Sequence, residues 1–151
     1  MNYAKQTTVS IDRSQQELSR LLRRAGADKC MQGWDGNMFF VAFILEGIPI
    51  RMKIEMPARH DFTRTETGRS RKHNAAIAAW EQACRQTMRE FCLLLKAKLV
   101  AVSKKVRPLQ HEFYSDICLP ARGGSTIYEC QNEELQKIIT TGKLPTLLPG
   151  V

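Results

Sequence analysis

The chain lacks any long run of apolar residues. None of its 151 residues belongs to a stretch approaching the roughly 20 apolar positions of a membrane-spanning helix. Met1 to Arg13 holds no apolar core of a secretory signal, so we expect a protein that stays in the cytoplasm. Hydrophobic residues make up 43% and charged residues 25%, as in an ordinary folded protein. We expect one domain over residues 1–151, large enough to fold without disulfides or a metal.

Metal-ligand spacing is also absent. The five cysteines form no CxxC pair, and the three histidines do not combine with them at the spacing of a zinc site. Cys84 and Cys118 stand in apolar patterns, which is typical of buried thiols in a reducing compartment. We therefore expect no disulfide framework, no metal and no cofactor.

Catalytic motifs are missing as well. The chain has no P-loop, no GxGxxG, no GxSxG and no HExxH, since His111-Glu112 is not followed by a second histidine. His60, Asp61 and Glu66 would be needed together for a nuclease-type metal site, but two acids in a basic loop equally serve to moderate its charge. We expect a protein that is not an enzyme.

What is present is an α+β pattern. A helix carrying Leu18, Leu21 and Leu22 is predicted before Gly26, with cap residues at Ser10 to Asp12 or, alternatively, a capping box at Ser14 and Glu17. Strands are predicted over 27–34, 38–46 and 48–56, joined by the tight turns Asp35-Gly36-Asn37 and Glu46-Gly47. Residues 7–11 are interpreted as a possible short fourth strand. The expected fold is a small antiparallel β-meander with the N-terminal helix on one face.

A long helix is predicted over 73–107, because apolar residues recur there at steps of three or four until Pro108. Its apolar density exceeds what one small sheet covers, so we expect contact with the C-terminal helices or a second subunit, and hence a homo-oligomer. Short elements are predicted after it: a helix over 110–119, an extended stretch over 126–130 and a helix over 133–140. The apolar tail 143–151 is expected to dock on the body or on a neighbouring chain.

Positive charge is concentrated in the middle of the chain. The net charge is +8, and residues 59–107 hold twelve basic and only four acidic residues. The segment 58–72 is long, polar and without apolar periodicity, which is typical of functional or disordered loops. We call it the basic loop, and its candidate anion-binding residues are Arg59, Arg64, Arg69, Arg71 and Lys72. Phe62 is the candidate for stacking on unpaired bases.

On the long helix, Arg85, Arg89 and Lys96 fall within about 40° of each other at 100° per residue. They are candidates for a phosphate-binding ridge continuous with the basic loop. The alternative is a solvated face with salt bridges, for example from Glu81 to Arg85 at i,i+4. For the loop, the alternative is contact between its arginines and the acidic C-terminal third of the chain.

Several segments resemble a group of small uncharacterised proteins encoded by bacteriophages and prophages. The residues that carry the resemblance are RRAGA at 23–27, GWDG at 33–36, AAWEQACRQ at 78–86, LLLKAKLVAV at 93–102, QHEFYSDICLP at 110–120 and GKLPTLLP at 142–149. The resemblance covers most of the chain and implies a phage origin and a bacterial cytoplasm. It supplies no catalytic residue.

Three functions fit these observations. The first is a non-enzymatic protein that binds nucleic acid, with single-stranded DNA favoured, as an accessory of replication or recombination. The second is an inhibitor of a bacterial defence system, of the anti-CRISPR type or related, which binds an effector protein or sequesters a signalling nucleotide. The third is a structural or assembly protein of the phage particle.

Overall fold

A computed structural model describes residues 6–142, so the apolar tail 143–151 lies outside the described residues. The fold is α+β, as the sequence predicts. Its helices and main strands in chain order are α1 Ile11–Arg24, β1 Asp28–Asp35, β2 Met38–Leu45, β3 Ile48–Glu55, α2 His73–Ser103, α3 Leu109–Glu112, β4 Cys118–Leu119, β5 Ser125–Thr126 and α4 Ile127–Thr141. Three short 3-10 turns cover 59–62, 114–116 and 120–122.

The three long strands form an antiparallel meander in the order β1-β2-β3. The first turn places Gly36 at a φ of 59°, a conformation that glycine adopts without strain, and pairs Asp35 with Met38. Along β2 the side chains alternate between buried and half-buried, which confirms a central strand with two different faces. The predicted strand bounds are correct to within one residue.

The helices α1 and α2 pack on one face of this sheet. Leu18 and Leu22 of α1 are fully buried against the same core as Met88 and Leu95 of α2. The core also contains an edge-to-face contact, in which the ring centroids of Phe39 and Phe91 lie 6.0 Å apart. The helical spacing of apolar residues thus identified the buried side of α2 correctly.

The end of α2 differs from the prediction, which placed it at residue 107. The helix ends at Ser103, and Lys105 adopts a left-handed φ of 56°. The Lys105 and Val106 amides then donate to the carbonyls of Val102 and Ala101, a Schellman arrangement that closes the helix before Pro108 is reached. Val106 is consequently 73% exposed instead of continuing the apolar stripe.

The C-terminal third also departs from the prediction over 110–119. Here α3 is a single turn, and Ile117 forms an antiparallel bridge with Ile50, so the chain leaves the helical path to extend the edge of β3. The predicted extended stretch 126–130 is wrong beyond Thr126. That residue caps α4 in a capping box with Glu129, so the helix starts six residues before the predicted 133.

The possible strand over 7–11 is wrong. Residues 7–10 form no strand, and the Ser10 hydroxyl accepts a hydrogen bond from the Arg13 amide as the N-cap of α1. Within the described residues, no helix is both long and apolar enough to cross a membrane.

Candidate nucleic-acid interface

The basic loop has a defined structure of its own. It begins with a 3-10 turn at Arg59–Phe62 and continues into a narrow two-stranded turn in which Arg64 bridges Ser70. Backbone hydrogen bonds of 2.8 Å close this turn, from the Thr65 amide to the Arg69 carbonyl and from the Arg71 amide to the Thr63 carbonyl. The loop therefore presents its side chains from a folded backbone.

Arg71 differs from the other basic residues of this loop. Its side chain is half-buried, and its Nη1 donates to the carbonyls of Phe62, at 3.2 Å, and Arg64, at 2.5 Å. These two bonds tie the 3-10 turn to the narrow turn that follows. Of the predicted anion-binding residues, Arg71 thus has a structural contact that competes with a ligand for its guanidinium.

The remaining four basic side chains of the loop are exposed. They are Arg59, Arg64, Arg69 and Lys72. Among residues 6–142 none of the four forms an ion pair. The loop acid Asp61 contacts His60 instead, with 3.1 Å between Asp61 Oδ1 and His60 Nε2. The alternative in which these arginines contact the acidic C-terminal third has no support in the described contacts.

The loop leads directly into the N-terminus of α2. Lys72 is the N-cap residue and no side chain caps the helix, so neither Ser70 nor Asn74, the nearby residues suited to capping, does so. The uncapped amides of the first turn and the positive end of the helix dipole add to the field of Lys72 and Arg69. The electrostatic potential here favours an anion.

A cleft next to the loop was not identified from the sequence. It has a volume of about 590 Å³ and contains both tryptophans of the chain. Its lining residues are Ser10, Ile11, Trp34, Gly36, Asn37, Met56, Pro57, Trp80, Glu81, Cys84 and Arg85. We call it the two-tryptophan cleft. Trp80 fits the spacing of the apolar residues along α2, so the sequence indicates burial for it, and the rarity of tryptophan is the one signal of a site.

Both tryptophan rings are held in place by the body of the protein. The Trp80 Nε1–H donates to the Pro57 carbonyl at 2.8 Å, and the guanidinium carbon of Arg59 lies 5.9 Å from the ring centroid of Trp80. Trp34 packs on Phe39 with ring centroids 4.9 Å apart and is still 47% exposed. Arg59 therefore connects the basic loop with Trp80, one of the residues that line the cleft. Phe62, the predicted stacking residue, is half-buried.

The three basic residues of the predicted ridge on α2 have different surroundings. Arg85 lines the cleft and donates two hydrogen bonds to the Gln82 side-chain oxygen, at 2.7 and 3.1 Å, and the ion pair with Glu81 that the alternative gave is not formed. Arg89 forms a half-buried ion pair with Glu17, which fastens α1 to α2. Lys96 is exposed, but it lies about 16 Å along the helix axis from Arg85. The loop and the cleft end of α2 thus form one surface, to which Arg89 and Lys96 do not contribute directly.

A second groove, of about 660 Å³, lies on the other face of the sheet. Phe40 covers Gly33 there, and a Cβ on that glycine would lie 2.5 Å from the ring, so the position requires glycine or a shifted ring. Of the cations that line it, Arg51 and Lys53 are both bound by Glu129, whereas Lys29 forms no ion pair within the described residues. This groove is therefore mainly apolar, and Glu129 neutralises part of its positive charge.

No group of three or more metal-ligating side chains occurs within the part of the chain that the structure describes. The chain matches no protein-family model, no curated protein and no solved structure.

Proposed function

We propose that this chain is a phage-encoded, non-enzymatic protein that binds nucleic acid, preferably single-stranded DNA, as an accessory of replication or recombination in the bacterial cytoplasm. The observation that carries the proposal is the set of four exposed, unpaired cations on the ordered basic loop: Arg59, Arg64, Arg69 and Lys72. A guanidinium group can bind two phosphate oxygens at once through two parallel hydrogen bonds. Because the loop is already folded, it loses less conformational entropy on binding.

The proposal implies a strong dependence on salt. Each neutralised phosphate of a single strand contributes about −0.7 to the slope of log affinity against log salt, so four contacts give about −3. Raising the salt from about 50 to 300 mM would then weaken binding about 100-fold.

The test is fluorescence anisotropy with a labelled single-stranded 30-mer at the two salt concentrations. The loop variant carries Arg64→Gln, Arg69→Gln and Lys72→Gln, and leaves Arg59 and Arg71 in their structural contacts. The control variant carries Lys104→Gln, Lys105→Gln and Arg122→Gln, which removes the same charge from exposed positions outside the loop.

We expect the loop variant to lose at least about tenfold in affinity and most of the salt slope, with the control losing about threefold or less. Equal losses in the two variants would show that net charge alone is responsible and would refute the site. A duplex of the same length is the second probe. Tighter binding to the duplex than to the single strand would refute the strand preference.

An inhibitor of a bacterial defence protein is the second candidate, and one surface favours it. The helix α4 has no buried residue, and Leu135, Ile138 and Ile139 on it are 45%, 61% and 64% exposed. An apolar patch of this kind is typical of a protein-binding surface, including that of a second copy of the chain. Light scattering on a sizing column, with and without Ile138→Glu, tests self-association at this helix. Absence of 30-mer binding at low salt would make a protein partner or a small signalling nucleotide the leading hypothesis.

A further inference from the structure

We infer that the two-tryptophan cleft holds an unpaired nucleobase of the strand whose phosphates lie on the basic loop. The inference rests on the proposed function and adds to it the part of the ligand that the cleft takes. Trp34 and Trp80 come from two different elements, β1 and α2, and both supply aromatic surface to the lining of one cavity.

The rings are oriented before any ligand arrives. The Pro57 carbonyl fixes the Trp80 indole through its N–H, and Phe39 supports the ring of Trp34 from the core. A bound base would therefore stack on surfaces that lose little rotamer freedom, so most of the stacking energy is retained as affinity. A volume of about 590 Å³ also accommodates a purine or a pyrimidine with part of its sugar.

Continuity with the basic loop is what favours a base over an aliphatic side chain of a protein. Arg59 reaches from the loop to the Trp80 ring, so a phosphate bound at the loop places its nucleotide at the edge of the cleft. Polar groups at the lining, from Ser10, Glu81 and Arg85, provide donors and acceptors for a base edge. Since every base carries both kinds of group, we expect stacking without a strong preference for one base.

Intrinsic fluorescence provides a direct test, because the chain has only these two tryptophans. The probes are dT12, a 12-mer of abasic sites with the same backbone, and the mononucleotide dTMP. We expect dT12 to quench the emission saturably and the abasic 12-mer to bind by anisotropy without quenching. Quenching by dTMP at the same concentrations as dT12 would overturn the assignment to a strand and point to a free nucleotide.

Single substitutions assign the effect to each ring. Trp34→Leu and Trp80→Leu are each expected to weaken dT12 binding about 5- to 100-fold and to leave binding of the abasic 12-mer within about twofold. Tyr114→Leu, which removes an aromatic ring that is 55% exposed and outside the cleft, is the control and should leave both unchanged. If circular dichroism shows that a leucine variant folds poorly, Trp34→Phe or Trp80→Phe takes its place. Each phenylalanine variant retains a stacking ring and should restore most of the affinity for dT12.

The outcomes separate this inference from the proposed function. If the leucine variants bind dT12 as the wild type does while the loop variant fails, the phosphate surface stands and the base site is wrong. If the leucine variants fail while neutralising the loop has no effect, the base site stands and the loop assignment is wrong. If dT12 never quenches the tryptophan emission and a bound protein partner shields both tryptophans from solvent instead, the cleft is a protein-binding site and the inference is refuted.

Discussion

Glu129 of α4 binds Arg51 of β3 at 2.8 Å across 78 residues of sequence. The same carboxylate contacts Lys53 and accepts a hydrogen bond from the Thr126 amide, so one side chain both caps α4 and holds its first turn on the sheet. These hydrogen bonds, led by the one from Lys53, lower the pKa of Glu129 to about 2. Attachment of α4 therefore depends on a charged carboxylate.

Lowering the pH should loosen α4 before the core unfolds. Because the pKa of Glu129 is lower in the folded chain than its ordinary 4.5, its contribution to stability is complete above pH 4.5 and is lost as the pH falls towards about 2. We expect the protection of residues 127–141 against hydrogen exchange, taken relative to the intrinsic rate at each pH, to fall over this range ahead of that of residues 88–95. A simultaneous loss of protection in both segments would contradict the prediction.

Glu129→Gln isolates this charge, since glutamine still completes the capping box. We expect the variant to exchange faster than wild type over 127–141 at pH 7 and equally fast at pH 2, at a cost of about 1 kcal/mol or less because the ion pair is partly exposed. Glu133→Gln, an exposed acid on the same helix, is the control. An equal effect of the two substitutions would exclude a specific role for Glu129.

Arg71→Lys tests the order of the basic loop while keeping its charge. Both hydrogen bonds come from Arg71 Nη1, and a lysine side chain, which is one bond shorter, does not place its ammonium group at that position, so the loop loses the contact that joins its two halves. We expect 30-mer affinity to fall about threefold to tenfold with little change in melting temperature. Unchanged affinity would show that loop order is unimportant for binding.

Two adjacent leucines of α2 provide a matched pair for stability. Leu95 is fully buried, whereas Leu94 is 48% exposed. Leu95→Ala should lower the free energy of unfolding by about 2–5 kcal/mol, because it leaves a cavity in the core. Leu94→Ala should cost about 0.5 kcal/mol or less. Denaturant unfolding followed by circular dichroism measures both, and similar costs would mean that Leu94 is covered in solution, as in a homo-oligomer.

The thiols should react in two groups. Cys30 and Cys130 are exposed, whereas Cys92 is 1% exposed and donates to the Ser14 carbonyl at 3.2 Å. Burial raises the pKa of Cys92 to about 11, so almost no thiolate is present at neutral pH. Titration with an aromatic disulfide followed by mass spectrometry should label Cys30 and Cys130 first. Early labelling of Cys92 would indicate that α1 detaches readily from α2.

Periodicity determined much of the fold. The alternation in 48–56 and the spacing of three and four in α2 identified the buried faces, because each secondary structure repeats its side-chain direction at a fixed interval. Gly36 and Ser10 marked a turn and a helix start for equally local reasons. The capping box Thr126-Ile-Tyr-Glu129 was also readable and would have given the true start of α4.

Some features have no local signal. The end of α2 depends on Lys105 adopting a left-handed conformation, which its residue type does not predict. The pairing of Arg89 with Glu17 joins residues 72 positions apart, and the sequence shows only that both are charged. For the same reason it could not distinguish Arg71, bound within its loop, from the exposed Arg64.

The sequence by itself determined the fold class, the buried faces and the position of the positive charge along the chain, since these follow from short-range periodicity and composition. Only the tertiary structure decided which cations are free and that Trp34 and Trp80 line one cleft beside Arg59. Those relationships depend on how β1, the basic loop and α2 pack together, and packing is set by the sum of many long-range contacts that no single segment encodes.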